Sequence, residues 1–374
     1  MKGKKELKVL MTVDTVGGVW TYCMELCQSL EKYNVEFHLV TMGGKMNEWQ
    51  REEVNCLKNV EVYDTNYALE WMQNAWLDIE ECSEWLLKLE ADIQPDIIHL
   101  NCFAYGSLPF KAPVIIVGHS DVYSWYLSVK NDDPPGEWRQ YYWKIKDGLD
   151  MSDMVISPSE TMLKALKKIY RFRTETKCIY NGRDHRNYYH SEKLPMVFSM
   201  GRIWDEAKNT RLLVEAAPLI DCRIRIAGDN EFEQNAFNLL HENVEYTGKL
   251  TTQDVAKELS SASVYILPAK YEPFGLSVLE AAFSHCALVL GDIESLHELW
   301  DDNALYIDTN DKDGLAEAVN YLLSNENIRQ HYAEKAFTHA QKYSSELLAH
   351  NYMEVYKRLK ESGKEVLAHE KMIL

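Results

Sequence analysis

At 374 residues, with 46% hydrophobic and 26% charged residues, the chain has the composition of a soluble globular protein and the length of two domains rather than one. Its formal net charge of −18 argues against non-specific binding to nucleic acid or to an anionic membrane surface. No apolar run reaches the roughly 18 residues of a membrane span, and Val9-Leu10-Met11 is too short for a signal-peptide core, so no transmembrane segment and a cytoplasmic location are expected. The eight cysteines are scattered without a Cys-x-x-Cys, which fits reduced structural thiols and offers no zinc spacing.

Short apolar runs alternate with helical patterns from end to end. Lys8–Val13 reads as the first strand, and Gly17-Gly18 opens a helix with Val19, Tyr22, Cys23 and Leu26 at helical spacing. Strands are expected at Glu36–Thr41, Val60–Tyr63, Ile97–Leu100, Val114–Val117, Met154–Ile156 and Cys178–Tyr180. The polar stretch Arg183–Lys193 reads as a linker. The pattern then restarts with Met196–Met200, Arg223–Ala227, Val244–Tyr246, Val264–Leu267, Leu288–Leu290 and Leu305–Ile307. Strands alternating with helices predict two α/β domains, each a doubly wound parallel sheet. A final helix carries an apolar stripe of Leu347, Leu348, Tyr352, Val355, Tyr356 and Leu359. Two such domains leave a cleft at the carboxyl ends of their strands, where ligands of these sheets bind.

The candidate chemistry follows strands. Tyr271–Glu280 reads Tyr-Glu-Pro-Phe-Gly-Leu-Ser-Val-Leu-Glu, with Glu272 before a Pro-Phe-Gly turn and Glu280 about two turns into the next helix. This is either a surface helix with an acidic N-terminus or a strand–turn–helix aiming free N–H groups at a ligand. Arg202 and Lys208 share one loop after a strand, which suits a diphosphate or a solvated surface equally. Gly17-Gly18 is either a close approach to a phosphate or a tight turn, and it lacks the G-x-G-x-x-G of a dinucleotide site. His119 ends an apolar strand, and Asp121, two residues on, either orients its imidazole or meets a substrate hydroxyl. Tyr123, Trp125, Tyr126, Trp138, Tyr141, Tyr142 and Trp143 suit a sugar face or the packing of an irregular segment.

In order and spacing these pieces resemble glycosyltransferase family 4, the retaining sugar-nucleotide-dependent enzymes of GT-B fold, nearly end to end. The resemblance rests on Gly17-Gly18, Pro95–His99, His119, Ser157-Pro-Ser159 and Tyr180-Asn-Gly182. In the second half it rests on Gly201-Arg202 with Lys208, Ala227-Gly228-Asp229, Tyr246–Lys249 and the Glu-x7-Glu of Glu272 and Glu280. It implies an N-terminal Rossmann-like acceptor-side domain over 1–186, a C-terminal donor domain over 187–345, and a helix over 346–374 returning to the first domain. It implies that Arg202 and Lys208 neutralise the donor diphosphate, Glu280 binds ribose hydroxyls and Glu272 binds the donor sugar. Phe274, Gly275 and Leu276 then place N–H groups near sugar and phosphate, His119 sits by the sugar and leaving phosphate, and Gly17 and Gly18 let the N-terminal loop approach. His119, Arg202, Lys208 and Glu272 are thus the expected catalytic set, with Asp121, Tyr123 and Trp125 on the acceptor side. No metal or cofactor is implied. The partners implied are a nucleotide-diphosphate sugar, UDP-hexose before GDP-mannose or ADP-glucose, and a hydroxyl-bearing acceptor (sugar, glycolipid or small molecule). A GT-B sugar-nucleotide epimerase and a non-catalytic sugar-nucleotide sensor share the architecture. The chain departs from the family at Ser284–Ala287, at Glu294-Ser295 where Gly-Gly is usual, and at His297 where Pro is usual.

Overall fold

The computed structural model describes residues 7–228 and 241–373, and Asp229 of the family-like Ala227-Gly228-Asp229 lies outside them. The chain divides into two units. One gathers residues up to Tyr126, then Asp132–Gly182 and the chain from Ser345; the other is Leu127–Asn131 with Arg183–Ser344.

The first unit is built on β1 (Leu7–Asp14), β2 (Val35–Met42), β3 (Val60–Tyr63), β4 (Ile97–Leu100), β5 (Val114–Val117), β6 (Met154–Ser157) and β7 (Thr176–Cys178). They form one sheet in the order β3-β2-β1-β4-β5-β6-β7, and every pairing is parallel. Its helices are α1 (Gly18–Leu30), α2 (Glu48–Asn55), α3 (Trp76–Ile93), α4 (Val122–Val129, of which Leu127–Val129 falls in the second unit), α5 (Arg139–Met151) and α6 (Glu160–Tyr170). The near-continuous burial of β1, β2, β4, β5 and β6 is what helices on both faces of a parallel sheet require.

The second unit repeats the plan with β8 (Leu194–Met200), β9 (Arg223–Ala227), β10 (Val244–Gly248), β11 (Ala262–Leu267), β12 (Ala287–Gly291) and β13 (Leu305–Ile307). The order is β10-β9-β8-β11-β12-β13, again all parallel. Helices α7 (Thr210–Ala216), α8 (Thr252–Ser261), α9 (Leu276–Phe283), α10 (Glu294–Trp300), α11 (Lys312–Ser324) and α12 (Glu326–Ala340) complete it. Alternate residues of β11 feed two cores: Val264 and Ile266 pack with Leu213, Ile226 and Leu315, while Tyr265 and Leu267 pack with Phe198, Leu279 and Leu288. Each such fully buried aliphatic side chain contributes roughly 1.5–3 kcal/mol.

The last helix, α13 (Ser345–Ile373), belongs to the first unit. There His99 Nδ1 lies 2.6 Å from the Tyr356 hydroxyl, and its ring stacks on Tyr352 with centroids 5.5 Å apart. The expected return of the chain to its first domain is therefore seen. No helix of the described residues is long and apolar enough to cross a membrane.

Two local expectations need correction. The strand expected at Cys178–Tyr180 lies at Thr176–Cys178, because β7 is an edge strand that pairs through polar residues and leaves Ile179 to the core. The stretch Arg183–Lys193 is not simply a solvated linker. Arg183 and Tyr188 are both buried, and the Arg183 N–H donates to the Tyr343 carbonyl at 3.1 Å.

The strand orders locate the ligand edges. Each sheet reverses its direction of winding once, between β1 and β4 in the first and between β8 and β11 in the second. The loops leaving the carboxyl ends at such a switch diverge to opposite faces and open a crevice. Gly17-Gly18 and Asn101 follow β1 and β4, and Arg202 and Glu272 follow β8 and β11.

Candidate functional site

In the second unit, the loops after β8 and β11 are clasped together. Asn209 holds a left-handed backbone at φ 55°, and its amide donates to the carbonyls of Pro268 at 2.9 Å and Thr309 at 2.8 Å. The Lys270 N–H donates to the Ala207 carbonyl at 2.8 Å. This clasp carries Lys208 against Glu272, and its ammonium donates to Glu272 Oε2. The buried Glu272 is held twice more: Oε1 accepts the Phe274 N–H at 3.4 Å, and its carbonyl accepts the Ser295 hydroxyl at 2.6 Å. Ser295 is one of the departures from the family pattern, and here it fastens the first turn of α10 to the backbone of Glu272.

Arg202 is placed by Asp205, whose Oδ2 accepts from Nη2 at 2.6 Å while Oδ1 accepts the Ala207 N–H at 3.0 Å. Its guanidinium lies 5.4 Å from the Trp204 ring centroid, within cation–π range. Nε of Arg202 is buried, and no acceptor for it is found among the described residues.

The turn into α9 supplies the third part. Gly275 has φ +83°, and a Cβ there would sit 3.0 Å from Val278 Cγ2, so any other side chain would be strained in its backbone and crowded by Val278. It ends the Pro-Phe-Gly turn so that α9 starts at Leu276, and a helix start presents N–H groups that no intrahelical carbonyl satisfies. Beneath the turn, the Tyr265 hydroxyl donates to Ser277 Oγ at 2.7 Å, and burial holds its phenol well above the ordinary range. Glu280, about one turn into α9 rather than two, is buried and pairs with Arg183, Oε1 to Nε at 3.0 Å.

In the first unit, Gly17 adopts φ +84° as α1 begins, and Tyr22 of that helix meets His119 edge-on at 4.6 Å. His119 Nε2 lies 2.8 Å from Asn101 Oδ1. The amide of Asn101 is oriented unambiguously, because its Nδ2 donates to the Thr12 carbonyl at 2.7 Å. The imidazole must then donate from Nε2 and keep a lone pair on Nδ1. Burial pushes the His119 imidazole down to about 3, so it is neutral at physiological pH. His99, on β4, is likewise pushed down to about 3, chiefly by burial and further because a second proton would meet a protonated His119.

Asp121 is engaged within the first unit. It is buried, accepts the N–H groups of Tyr123 at 2.9 Å and Ser124 at 3.2 Å, and accepts the Tyr170 hydroxyl of α6 at 2.8 Å. It is the N-cap of α4. Tyr123 stacks on Tyr141 at 6.4 Å and meets Tyr142 at 5.2 Å, and Trp125 meets Tyr126 edge-on at 5.2 Å, so much of the aromatic stretch packs on itself. Among the described residues one trio, Glu36, His38 and Glu61, brings metal-ligand types together, towards the amino ends of β2 and β3 rather than at the edge carrying Gly17.

Arg202, Lys208, Glu272, Gly275 and Glu280, expected from the sequence as one group, follow β8 and β11 at one edge of the second sheet. Asn101 and Asp205 are not among the expected residues, Ser295 is expected only as a departure from the family pattern, and Arg183 only as the start of a linker. Asp205 and Asn101 were findable as polar residues just past strand ends; Arg183 and Ser295 act through partners distant in sequence.

The fold is that of the GT-B glycosyltransferases. Sucrose-phosphate synthase of Thermosynechococcus elongatus shares it with a TM-score of 0.79 over 96% of this chain and 100% of that one, at 17% identity. HepE of Anabaena, in complex with UDP-glucose, matches with a TM-score of 0.75 over 94% of this chain and 100% of its own, at 15% identity. In sequence, an uncharacterised glycosyltransferase of Methanocaldococcus jannaschii is 23% identical over 91% of this chain and 94% of its own length. The family model described as Glycosyltransferase Family 4 matches residues 16–187, and that described as Glycosyl transferases group 1 matches residues 181–339. The chain belongs to glycosyltransferase family 4.

Proposed function

We propose that this glycosyltransferase moves a hexose from a nucleotide-diphosphate sugar, UDP-hexose first, to a hydroxyl acceptor with retention of anomeric configuration and without a metal. The observation that carries the reading is the second sheet's switch-point edge. Arg202 and Lys208 share the loop after β8 there, and Lys208 donates to the buried Glu272 that precedes the start of α9. Two cations with fixed donors suit a diphosphate, whose charge grows as the sugar–phosphate bond breaks. The buried Nε–H of Arg202, with no acceptor among the described residues, adds a donor suited to a phosphate oxygen. The UDP-glucose complex of the similarly folded HepE favours a uridine nucleotide.

In this reading the C1–oxygen bond to the diphosphate breaks while the acceptor oxygen bonds to C1 on the same face. The acceptor's proton passes to the departing phosphate oxygen, and the products are a glycoside and a nucleoside diphosphate. Glu272 holds sugar hydroxyls, with the N–H groups of Phe274, Gly275 and Leu276 near the sugar and phosphate, and Glu280 accepts from the ribose. The first unit contributes Gly17, Gly18 and a neutral His119, which donates or accepts without adding charge. Tyr123 and Trp125 are the acceptor-side residues, and Asp121 serves by holding α4. A single-turnover assay with UDP-glucose, GDP-mannose and ADP-glucose, with and without EDTA, tests the donor and the metal independence, and NMR of the product tests retention. Turnover with none of the three, or an inverted product, overturns the reading.

A further inference from the structure

Arg183 stands where the chain enters the second unit, in a stretch that reads as a polar linker, yet its side chain is only 6% exposed. Its guanidinium is held by two residues, Glu280 and Tyr188. Nε lies 3.0 Å from Glu280 Oε1, Nε also donates to the Tyr188 hydroxyl at 3.0 Å, and Cζ lies 5.6 Å from the Tyr188 ring centroid. The supports are themselves fixed. Tyr188 stacks on Phe283, the last residue of α9, at 6.2 Å, and the Arg183 backbone pairs with Ser344 and donates to Tyr343. Tyr343 in turn packs edge-on against Phe274 of the turn beside Glu272, at 5.6 Å. A guanidinium never loses its charge in a protein, so a carboxylate locked against it stays ionised and keeps one orientation.

We propose that Arg183 is a positioning residue for nucleotide recognition: it holds Glu280 ionised and in the rotamer that accepts hydrogen bonds from the donor's ribose. The inference rests on the ribose role proposed for Glu280. An ionised acceptor makes the stronger hydrogen bond, and a side chain already fixed loses little entropy on binding. Arg183 therefore acts on affinity for the nucleotide through Glu280 and leaves the sugar-transfer step to the groups around Glu272.

The test is a double-mutant cycle with UDP as the titrant, followed by calorimetry, alongside steady-state kinetics with UDP-glucose. Arg183→Met is expected to weaken UDP binding at least tenfold and to raise KM with little change in kcat. Arg183→Lys, which keeps the charge, is expected to recover part of the loss. On a Glu280→Gln background Arg183→Met is expected to add less than twofold. The same must hold for 2′,3′-dideoxy-UDP, which has no ribose hydroxyl to offer. A general structural defect would weaken UDP and its dideoxy analogue alike and act equally on both backgrounds; that result overturns the proposal. Wild-type affinity in Arg183→Met overturns it too. If Glu280→Gln binds UDP and the dideoxy analogue as the wild type does, the ribose role of Glu280 fails first and takes this inference with it.

Discussion

Glu272 and Glu280 share a helix start and a low exposure, yet their partners differ: Lys208, the Phe274 N–H and Ser295 for the first, Arg183 for the second. The partners match the separate roles proposed for the two carboxylates. Glu272 sits with the cation proposed for the diphosphate, so Glu272→Ala is expected to lower kcat by two or more orders of magnitude, about 3 kcal/mol or more of barrier, while UDP still binds. Glu280→Gln is expected to weaken nucleotide binding by about 1–3 kcal/mol for the lost charge-assisted hydrogen bonds, with a smaller change in kcat. Calorimetry with UDP and single-turnover rates on the two variants check both, and equal effects on binding and turnover in each variant would undo the division. Ser295→Ala removes a tether of the Glu272 backbone rather than the carboxylate, and a drop in kcat of roughly tenfold is expected, read in the same assay.

At the scale of elements, α4 depends on one residue before it. Asp121 caps two of its N–H groups and anchors the Tyr170 hydroxyl of α6. Asp121→Ala is expected to destabilise the first unit by about 2–4 kcal/mol, roughly 1 from the lost cap and the rest from a buried hydroxyl left without its acceptor. Thermal unfolding followed by circular dichroism reads the loss; an unchanged midpoint with a changed acceptor KM would return Asp121 to the acceptor side. The same contrast explains what was legible in the sequence. Strand positions and the Glu272–Glu280 spacing could be read because they depend on local periodicity and on a turn whose backbone favours Gly275. The shift of β7 could not, since Ile179 and Tyr180 look more strand-like than Thr176–Cys178, and only pairing to β6 decides between them. The aromatic stretch carried two meanings because Tyr123 and Tyr141 satisfy an amphipathic pattern whether they face a sugar or each other. Arg183 was hidden because its meaning lies in a carboxylate that only the folded second unit brings to it.

For the molecule as a whole, pH sets opposing demands. Acidification relieves the self-repulsion of a chain with a net charge of −18, and three buried groups of the first unit then decide how its fold responds. Burial raises the Glu70 carboxyl to about 7, although it accepts the N–H groups of Phe103 at 3.1 Å and Ala104 at 2.7 Å. Because its folded value lies above its unfolded one, Glu70 favours folding at low pH, and that contribution is lost as pH rises through about 7. His99 and His119 act in the opposite sense. Both are held down to about 3 in the fold, so their contribution is present above the ordinary histidine value and is lost as pH falls below it. At about 1.4 kcal/mol per pH unit, His99 alone costs about 2 kcal/mol between pH 6.5 and pH 5. His99→Gln keeps hydrogen-bonding groups for Tyr356 and Tyr22 but cannot be protonated. It is expected to be less stable than the wild type at pH 7.5, with the gap closing by about 2 kcal/mol at pH 5. Glu70→Gln, which removes the compensating group, is expected to widen its own gap to the wild type by up to about 3 kcal/mol over the fall from pH 7.5 to pH 5. Hydrogen exchange of the β4 and β5 amides at the two pH values, corrected for intrinsic rates, measures both in the first unit alone. Gaps that do not move with pH would show that these groups titrate in the fold as they do in the unfolded chain.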